Sequence, residues 1–241
     1  MKILGVDTSS RVLSLGVYDN GKVYEYDVEF ARKHSSLLVV AIENVIQALG
    51  WELKDLDYLA CGLGPGSFTG VRIAVATIKG LAFALKKPII GASTLDILAL
   101  NADKDGVIAP VIDAKRNLIY CSIYRRKNGK IKRISPFMLV SIEDFIKKIN
   151  RNAFLLGDAC SLYQADIQKS AKGLVVLDKD YWYPKARNVI KAALEQAKLK
   201  KFTDTFKIKP IYLYPKECQI NPDFTKTKSA KFVIKGHSAN K

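Results

Sequence analysis

Two series of strand and helix patterns, each opened by antiparallel strands that end at a carboxylate, predict a duplicated α/β architecture for this chain. Three observations carry that reading. The first series runs strand-strand-strand-helix-strand-helix-strand-helix up to residue 100, the strand pattern restarts after a polar break at "NADKDG" (101–106), and Asp7 and Asp113 close the two opening strands. The expected boundaries are a first half at 1–103 and a second half at 104–214, whose last helix is able to pack back on the first. A basic tail at 215–241 is expected to be disordered, because it lacks apolar periodicity.

The first three strands are expected at Lys2 to Val6, Val12 to Tyr18 and Lys22 to Phe30, the latter two joined by Asp19-Asn20-Gly21, a strong hairpin signal. Apolar residues at 37, 38, 41, 42, 45, 46 and 49 predict a helix from Ser35 to Leu49, ended by Gly50. "LDYLACGLG" reads as a strand, Ser67 to Lys86 as a helix, and "KPIIGAST" as a strand leading to a short helix capped near Ser93 or Thr94. In the second series "VIAPVID" and "LIYCSIYRR" read as strands, with a turn at Asn128-Gly129 and a further strand. Helices at Ile142 to Ile149 and Asn188 to Leu199 follow, and then the extended "IKPIYLYPK".

The stretch "GLGPGSFTGVRIAVATIKGLAFAL" invites a phosphate-binding interpretation, which the residues do not support. A Walker loop needs Lys-Ser or Lys-Thr after its last glycine, whereas Gly70 is followed by Val71 and Arg72. A dinucleotide fingerprint needs glycine where Thr69 stands, and a serine elbow at Ser67 needs glycines at 65 and 69. What remains is a structural turn, Gly64-Pro65-Gly66, with Ser67 as N-cap. In the helix beyond it, Arg72, Lys79 and Lys86 share one narrow polar stripe. Val71, Ile78, Leu81 and Leu85 form a bulky face suited to a sheet, and Ala76, Gly80 and Ala84 line a smooth groove. Gly80 costs a helix interior about 1 kcal/mol relative to alanine, so a packing reason is expected: close approach of a second helix, from this chain or from a partner subunit.

At 241 residues and 49% hydrophobic, the chain has a globular composition, with no uncharged apolar run of membrane-spanning length and no cleavable leader pattern at "MKILGVDTSS". A cytoplasmic location without membrane attachment is the expectation. Cys61, Cys121, Cys160 and Cys218 are dispersed and the histidines are His34 and His237, so neither a zinc site nor any other metal is expected. The net charge of +16 arises after residue 100; residues 184–241 hold fourteen basic and four acidic side chains, which suggests contact with a polyanion.

Together, "VDTSS", "KHSSLL", "GLGPGSFTGVRIAVATIKGLA", "VIDAKRNLIYCSIY" and "PIYLY" resemble the TsaB (YeaZ) family over residues 1 to about 214. The resemblance implies the actin-like, Hsp70-like, sugar-kinase-like fold (ASKHA). It also implies the role of a non-catalytic dimerization subunit in the bacterial complex that transfers threonylcarbamoyl to N6 of adenosine 37 in tRNA. The implied partners are the catalytic subunit TsaD, the P-loop ATPase subunit TsaE, a second copy when the chain is alone, and tRNA, indirectly or through the basic C-terminal half. In the family the first two helices pack against a partner's, so the implied interface comprises His34, Leu37, Leu38, Ala41, Val45, Ala76, Gly80 and Ala84.

No cofactor is expected; Asp7, Ser9 and Asp113 are the residues that would meet one. In a fold of this class ATP lies between the halves with its phosphates on the hairpin turns, yet Asp7 leads into Thr8-Ser9-Ser10 and Asp113 into Ala114-Lys115-Arg116, without a glycine. An ATP-dependent kinase or ATPase of this fold and a basic nucleic-acid-binding protein are the rival readings. Tyr181, Trp182 and Tyr183 offer the latter an aromatic cluster whose plainer interpretation is a core edge.

Overall fold

The computed structural model describes residues 1–29, 34–149, 151–170, 172–214 and 232–234. Its strands and helices follow in chain order as β1 (Lys2–Asp7), β2 (Val12–Asp19), β3 (Lys22–Glu29), α1 (His34–Ala48), β4 (Tyr58–Gly62), α2 (Phe68–Leu85), β5 (Ile89–Ala92) and α3 (Thr94–Ala99). Next come β6 (Gly106–Asp113), β7 (Ile119–Cys121), β8 (Tyr124–Lys127), β9 (Lys130–Arg133), β10 (Phe137–Val140), α4 (Ile142–Lys148), β11 (Phe154–Leu156), α5 (Ala159–Leu162), α6 (Gln164–Lys169) and β12 (Val175–Val176). The last are α7 (Ala186–Lys198) and β13 (Phe232–Ile234). The chain forms two units, Met1–Ile97 with Pro184–Ile211, and Leu98–Tyr183 with Tyr212–Lys241.

The first unit follows the expected order closely. Its sheet runs β3-β2-β1-β4-β5, with β1, β2 and β3 antiparallel and β4 and β5 parallel to β1. Asn20 and Gly21 take φ of 45° and 104° to close the β2-β3 hairpin, as the Asn-Gly pair requires. Strand alternation divides the core into two layers. Leu4, Val6, Leu13, Leu15 and Cys61 pack with Leu38, Ile42 and Ile46 of α1 and Val71, Val75 and Ile78 of α2, while Ile3, Ala60 and Ile90 pack with Val189, Ile190 and Ala193 of α7.

The last helix, for which the sequence allows packing back on the first half, does so: residues 184–211 belong to the first unit. Side-chain volume explains the fit. A Cβ on Gly16 would stand 2.8 Å from Ala186 Cβ, and one on Gly5 would stand 3.0 Å from Ile190, so α7 seats close on two glycines. Ser14 Oγ donates to the Pro184 carbonyl at 2.7 Å at the start of that return.

In the second unit the sheet order is β12-β11-β6-β7-β10-β13, with β8 and β9 branching from β6. The sequence pattern predicts one strand over "LIYCSIYRR", which forms two, β7 and β8. Both face β6 in one register, Val111 opposite Cys121 and Ile108 opposite Tyr124, and the interruption faces Ala109-Pro110, where proline has no N–H for the ladder. The pattern also gave no elements between 150 and 185, where β11, α5, α6 and β12 are too short for a period to register. The unit's core gathers Ala109, Val111, Cys121, Val140, Phe145, Leu155 and Cys160.

The expected tail also changes. Phe232–Ile234 pairs antiparallel with β10, Met138 opposite Val233, because "FVI" is an aromatic and β-branched run beside an open strand edge; the rest of 215–241, Cys218 included, lies outside the described residues. Trp182 sits at a core edge, its indole donating to the Leu177 carbonyl at 2.7 Å, which removes it from a stacking platform.

Candidate functional site

The glycine turn is a junction between backbones. Ser67 N donates to the Ser9 carbonyl at 2.7 Å, Thr8 Oγ1 donates to the Gly70 carbonyl at 2.6 Å, and Gly70 N donates to Ser67 Oγ at 3.2 Å, so Ser67 caps α2 as expected. A Cβ on Gly70 would lie 1.9 Å from the Thr8 carbonyl oxygen, and one on Gly66 2.5 Å from that of Ser9. Gly64 takes φ of 83°, and its carbonyl accepts from Thr94 N at 2.8 Å. Carbonyls of the Asp7–Ser10 loop therefore occupy the place a phosphate would take at this helix start, which answers the question the glycines raise.

Asp7 lies beneath that junction and is fully buried. Its Oδ1 accepts from Ser9 N at 2.8 Å and Ser9 Oγ at 2.6 Å, and its Oδ2 from Thr94 Oγ1 at 3.1 Å. Burial raises its pKa, opposed by these three hydrogen bonds. Gly62 closes the other side, since a Cβ there would meet Asp7 Oδ2 at 1.9 Å. Asp7 and Ser9 thus form a satisfied internal network.

Asp113 is also engaged. It accepts from Lys115 N at 2.8 Å and pairs with Lys115 Nζ at 2.5 Å, while Asp113 N donates to Asp158 Oδ1 at 3.0 Å. Lys115, Arg116 and Asn117 all have positive φ, of 63°, 54° and 57°. This turn is wound tightly by non-glycine residues, which carry Cβ atoms where a phosphate-binding turn uses bare backbone. Burial, and then the charge of Asp113, raise the Asp158 pKa. Among the described residues no cluster of three metal-ligating side chains occurs.

The face left open is that of α1 and α2. Ala76, Gly80 and Ala84 are all exposed, and a Cβ on Gly80 would meet nothing within 4 Å. An intrachain helix as the groove's neighbour is thereby excluded among the described residues. Next to the groove, Ile42, Ile46, Trp51, Leu53, Thr77 and Leu81 line a pocket of about 430 Å³, with Glu43, Gln47 and Glu52 supplying polar groups.

Two expected interface residues are corrected. Leu38 and Ala41 are 0% and 7% exposed and belong to the core beneath α1, because the apolar stripe 38, 41, 42, 46 faces the sheet. Val45 is half-buried against the same core, Leu37 is half-buried, and the His34 side chain lies outside the described residues. The apolar groups that α1 does offer outward are Val39 and Val40, 56% and 49% exposed, which fall off the helical stripe and so gave no periodic signal. The bulky face of α2 shifts likewise, to Val71, Ala74, Val75, Ile78 and Ala82, leaving Leu81 and Leu85 half-buried. By length and hydropathy α2 is the one helix among the described residues able to cross a membrane, but its buried side chains are committed to the core of the unit.

A family model described as TsaD, tRNA N6-adenosine threonylcarbamoyltransferase, matches residues 28–216. The tRNA threonylcarbamoyladenosine biosynthesis protein TsaB of Bacillus subtilis is 33% identical over 173 residues, covering 70% of this chain and 76% of that protein. Its namesake in Escherichia coli is 29% identical over 221 residues, covering 88% and 94%. The solved structure of YeaZ from Pseudomonas aeruginosa superposes with a TM-score of 0.78 at 26% identity, covering 88% of this chain and 99% of that one.

Proposed function

The chain belongs to the TsaB family, and from that premise we propose that it is a non-catalytic, activating subunit of the complex that transfers a threonylcarbamoyl group to N6 of adenosine 37 in tRNA. The observation that carries this reading is the α1-α2 face. A helix stripe of Ala76, Gly80 and Ala84, open along its length and flanked by exposed valines, suits a helix of a partner approaching to van der Waals contact. The partner is the TsaD-type catalytic subunit, a second copy takes the same face when the chain is alone, and TsaE joins the same cytoplasmic assembly.

Nucleotide chemistry fits the geometry less well. Neither turn that would receive phosphates offers bare backbone: the Asp7–Ser10 turn packs its Thr8 and Ser9 carbonyls against the start of α2, and the Lys115–Asn117 turn on Asp113 is wound by residues that carry Cβ atoms. The test is reconstitution: TsaD-type enzyme, TsaE, ATP, threonylcarbamoyl precursors and tRNA, with and without this chain. Modified adenosine should form only in its presence, and the chain alone should turn over neither ATP nor tRNA. Steady ATP turnover by the purified chain, lost in Asp7→Asn, would reject the subunit reading.

A further inference from the structure

We propose that the basic, aromatic end of the first unit, where residues 198–207 fold against the last turn of α2, is a docking site for single-stranded RNA. The segment reads "KLKKFTDTFK", lysines interleaved with apolar side chains. Phe83 of α2 and Phe206 are 65% and 73% exposed, yet their rings meet edge to face at 5.9 Å. Phe202 stacks on Tyr58 at 5.4 Å with the ring planes 9° apart, and still leaves 42% of its surface open.

These rings are held firmly. Thr203 N donates to the Ile89 carbonyl at 2.8 Å, Phe206 N donates to Asp204 Oδ1 at 2.7 Å, and Lys79 Nζ donates to the Phe206 carbonyl at 3.3 Å. A ring already fixed by its own backbone loses little freedom when a base stacks on it.

Charge selects the occupant. Lys86 and Lys87 follow the last turn of α2 that carries Phe83, Lys198, Lys200 and Lys201 lead into Phe202, and none of the five has a carboxylate partner among the described residues; Asp204 pairs with Lys207 at 3.8 Å. Two helix C-termini, those of α2 and α7, end here and bring about half a negative charge each, which five lysines exceed. An apolar protein surface would have to desolvate those ammonium groups. A flexible polyanion offers phosphates to the lysines and base faces to the rings, and an unpaired strand fits where a duplex, with its bases already stacked, does not.

The proposal deepens the subunit reading by giving the RNA a surface on this chain, and its test is separable from complex assembly. Binding of the full chain to a fluorescein-labelled mixed-sequence RNA oligonucleotide is followed by anisotropy across a salt series, with an RNA duplex as control. Phe83→Ser/Phe206→Ser should weaken single-strand binding at least tenfold at fixed salt, leave the salt slope unchanged, and spare the duplex. Lys200→Glu/Lys201→Glu should flatten the single-strand slope by about 1.4. All four residues are exposed, and thermal melts establish that both variants fold. Single-strand affinity and slope unchanged in both folded variants overturn the proposal, whether or not either variant loses a protein partner. Failure of the wild-type chain to assemble with a TsaD-type partner, with both variant effects on single-strand binding present, would instead strike only the subunit reading.

Discussion

At the residue scale, the glycines of one helix have opposite environments and should respond oppositely to the same substitution. A methyl group at Gly70 would meet the Thr8 carbonyl at 1.9 Å, and backbone must move to admit it, so Gly70→Ala should cost about 3 kcal/mol in urea unfolding. Gly80 has open space where its Cβ would be, and Gly80→Ala should stabilise the isolated chain by about 1 kcal/mol. Equal losses at both positions would mean that the groove is covered. Asp7 makes a separate prediction. Burial raises its pKa from the usual 3.8, so the folded state prefers the neutral acid. That contribution is full below pH 3.8 and is lost as pH rises through the folded value. Asp7→Asn removes the dependence, and the melting temperature of the variant minus that of the wild type should increase as pH is raised from about 4. A difference that stays flat or shrinks with pH would show that the carboxylate carries no such penalty.

At the scale of elements, α1 and α2 each divide their surface between a core and an open face. Val39→Asp/Val40→Asp changes two exposed side chains and should leave the melting temperature within about 2 °C of wild type, a surface-sized effect. The same variant should lose association with a TsaD-type partner, because two carboxylates would be desolvated against an apolar helix. Gly80→Leu should do likewise by holding the helices apart, at a cost of at least about 2 kcal/mol at an interface centre. Co-elution of partner and variant, measured by size-exclusion chromatography, checks both. Undiminished co-elution of either folded variant would move the interface elsewhere.

For the whole molecule, the return of α7 sets which pieces can fold. A chain ending at residue 183 strips Val189, Ile190 and Ala193 from Ile3, Ala60 and Ile90, and exposes one entire side of the first sheet. Such a truncation should aggregate, while residues 1–97 joined through a flexible linker to 184–211 should give a soluble, cooperatively melting unit, as followed by circular dichroism. The sequence allows this return without fixing it, because α7 is amphipathic and a periodic pattern tells that a helix buries one face but not against which sheet.

The sequence by itself determined what rests on local chemistry. The Asn20-Gly21 hairpin, the Ser67 cap, the order of the first eight elements and the absence of a Walker loop all follow from φ preferences, capping and periods of two and 3.6 within a few residues. Family resemblance also lay in the sequence, in the glycine-turn helix above all. Tertiary structure decided whatever depends on residues far apart. It filled the glycine turn with Ser9 and Thr8 carbonyls, sealed Asp7 under Thr94 and Gly62, turned Leu38 and Ala41 inward, and left Val39, Val40 and the Gly80 stripe facing out. Periodicity identifies a stripe, but only the packed neighbour says which stripe is core and which is interface, because burial is a property of the assembled surface and not of any residue alone.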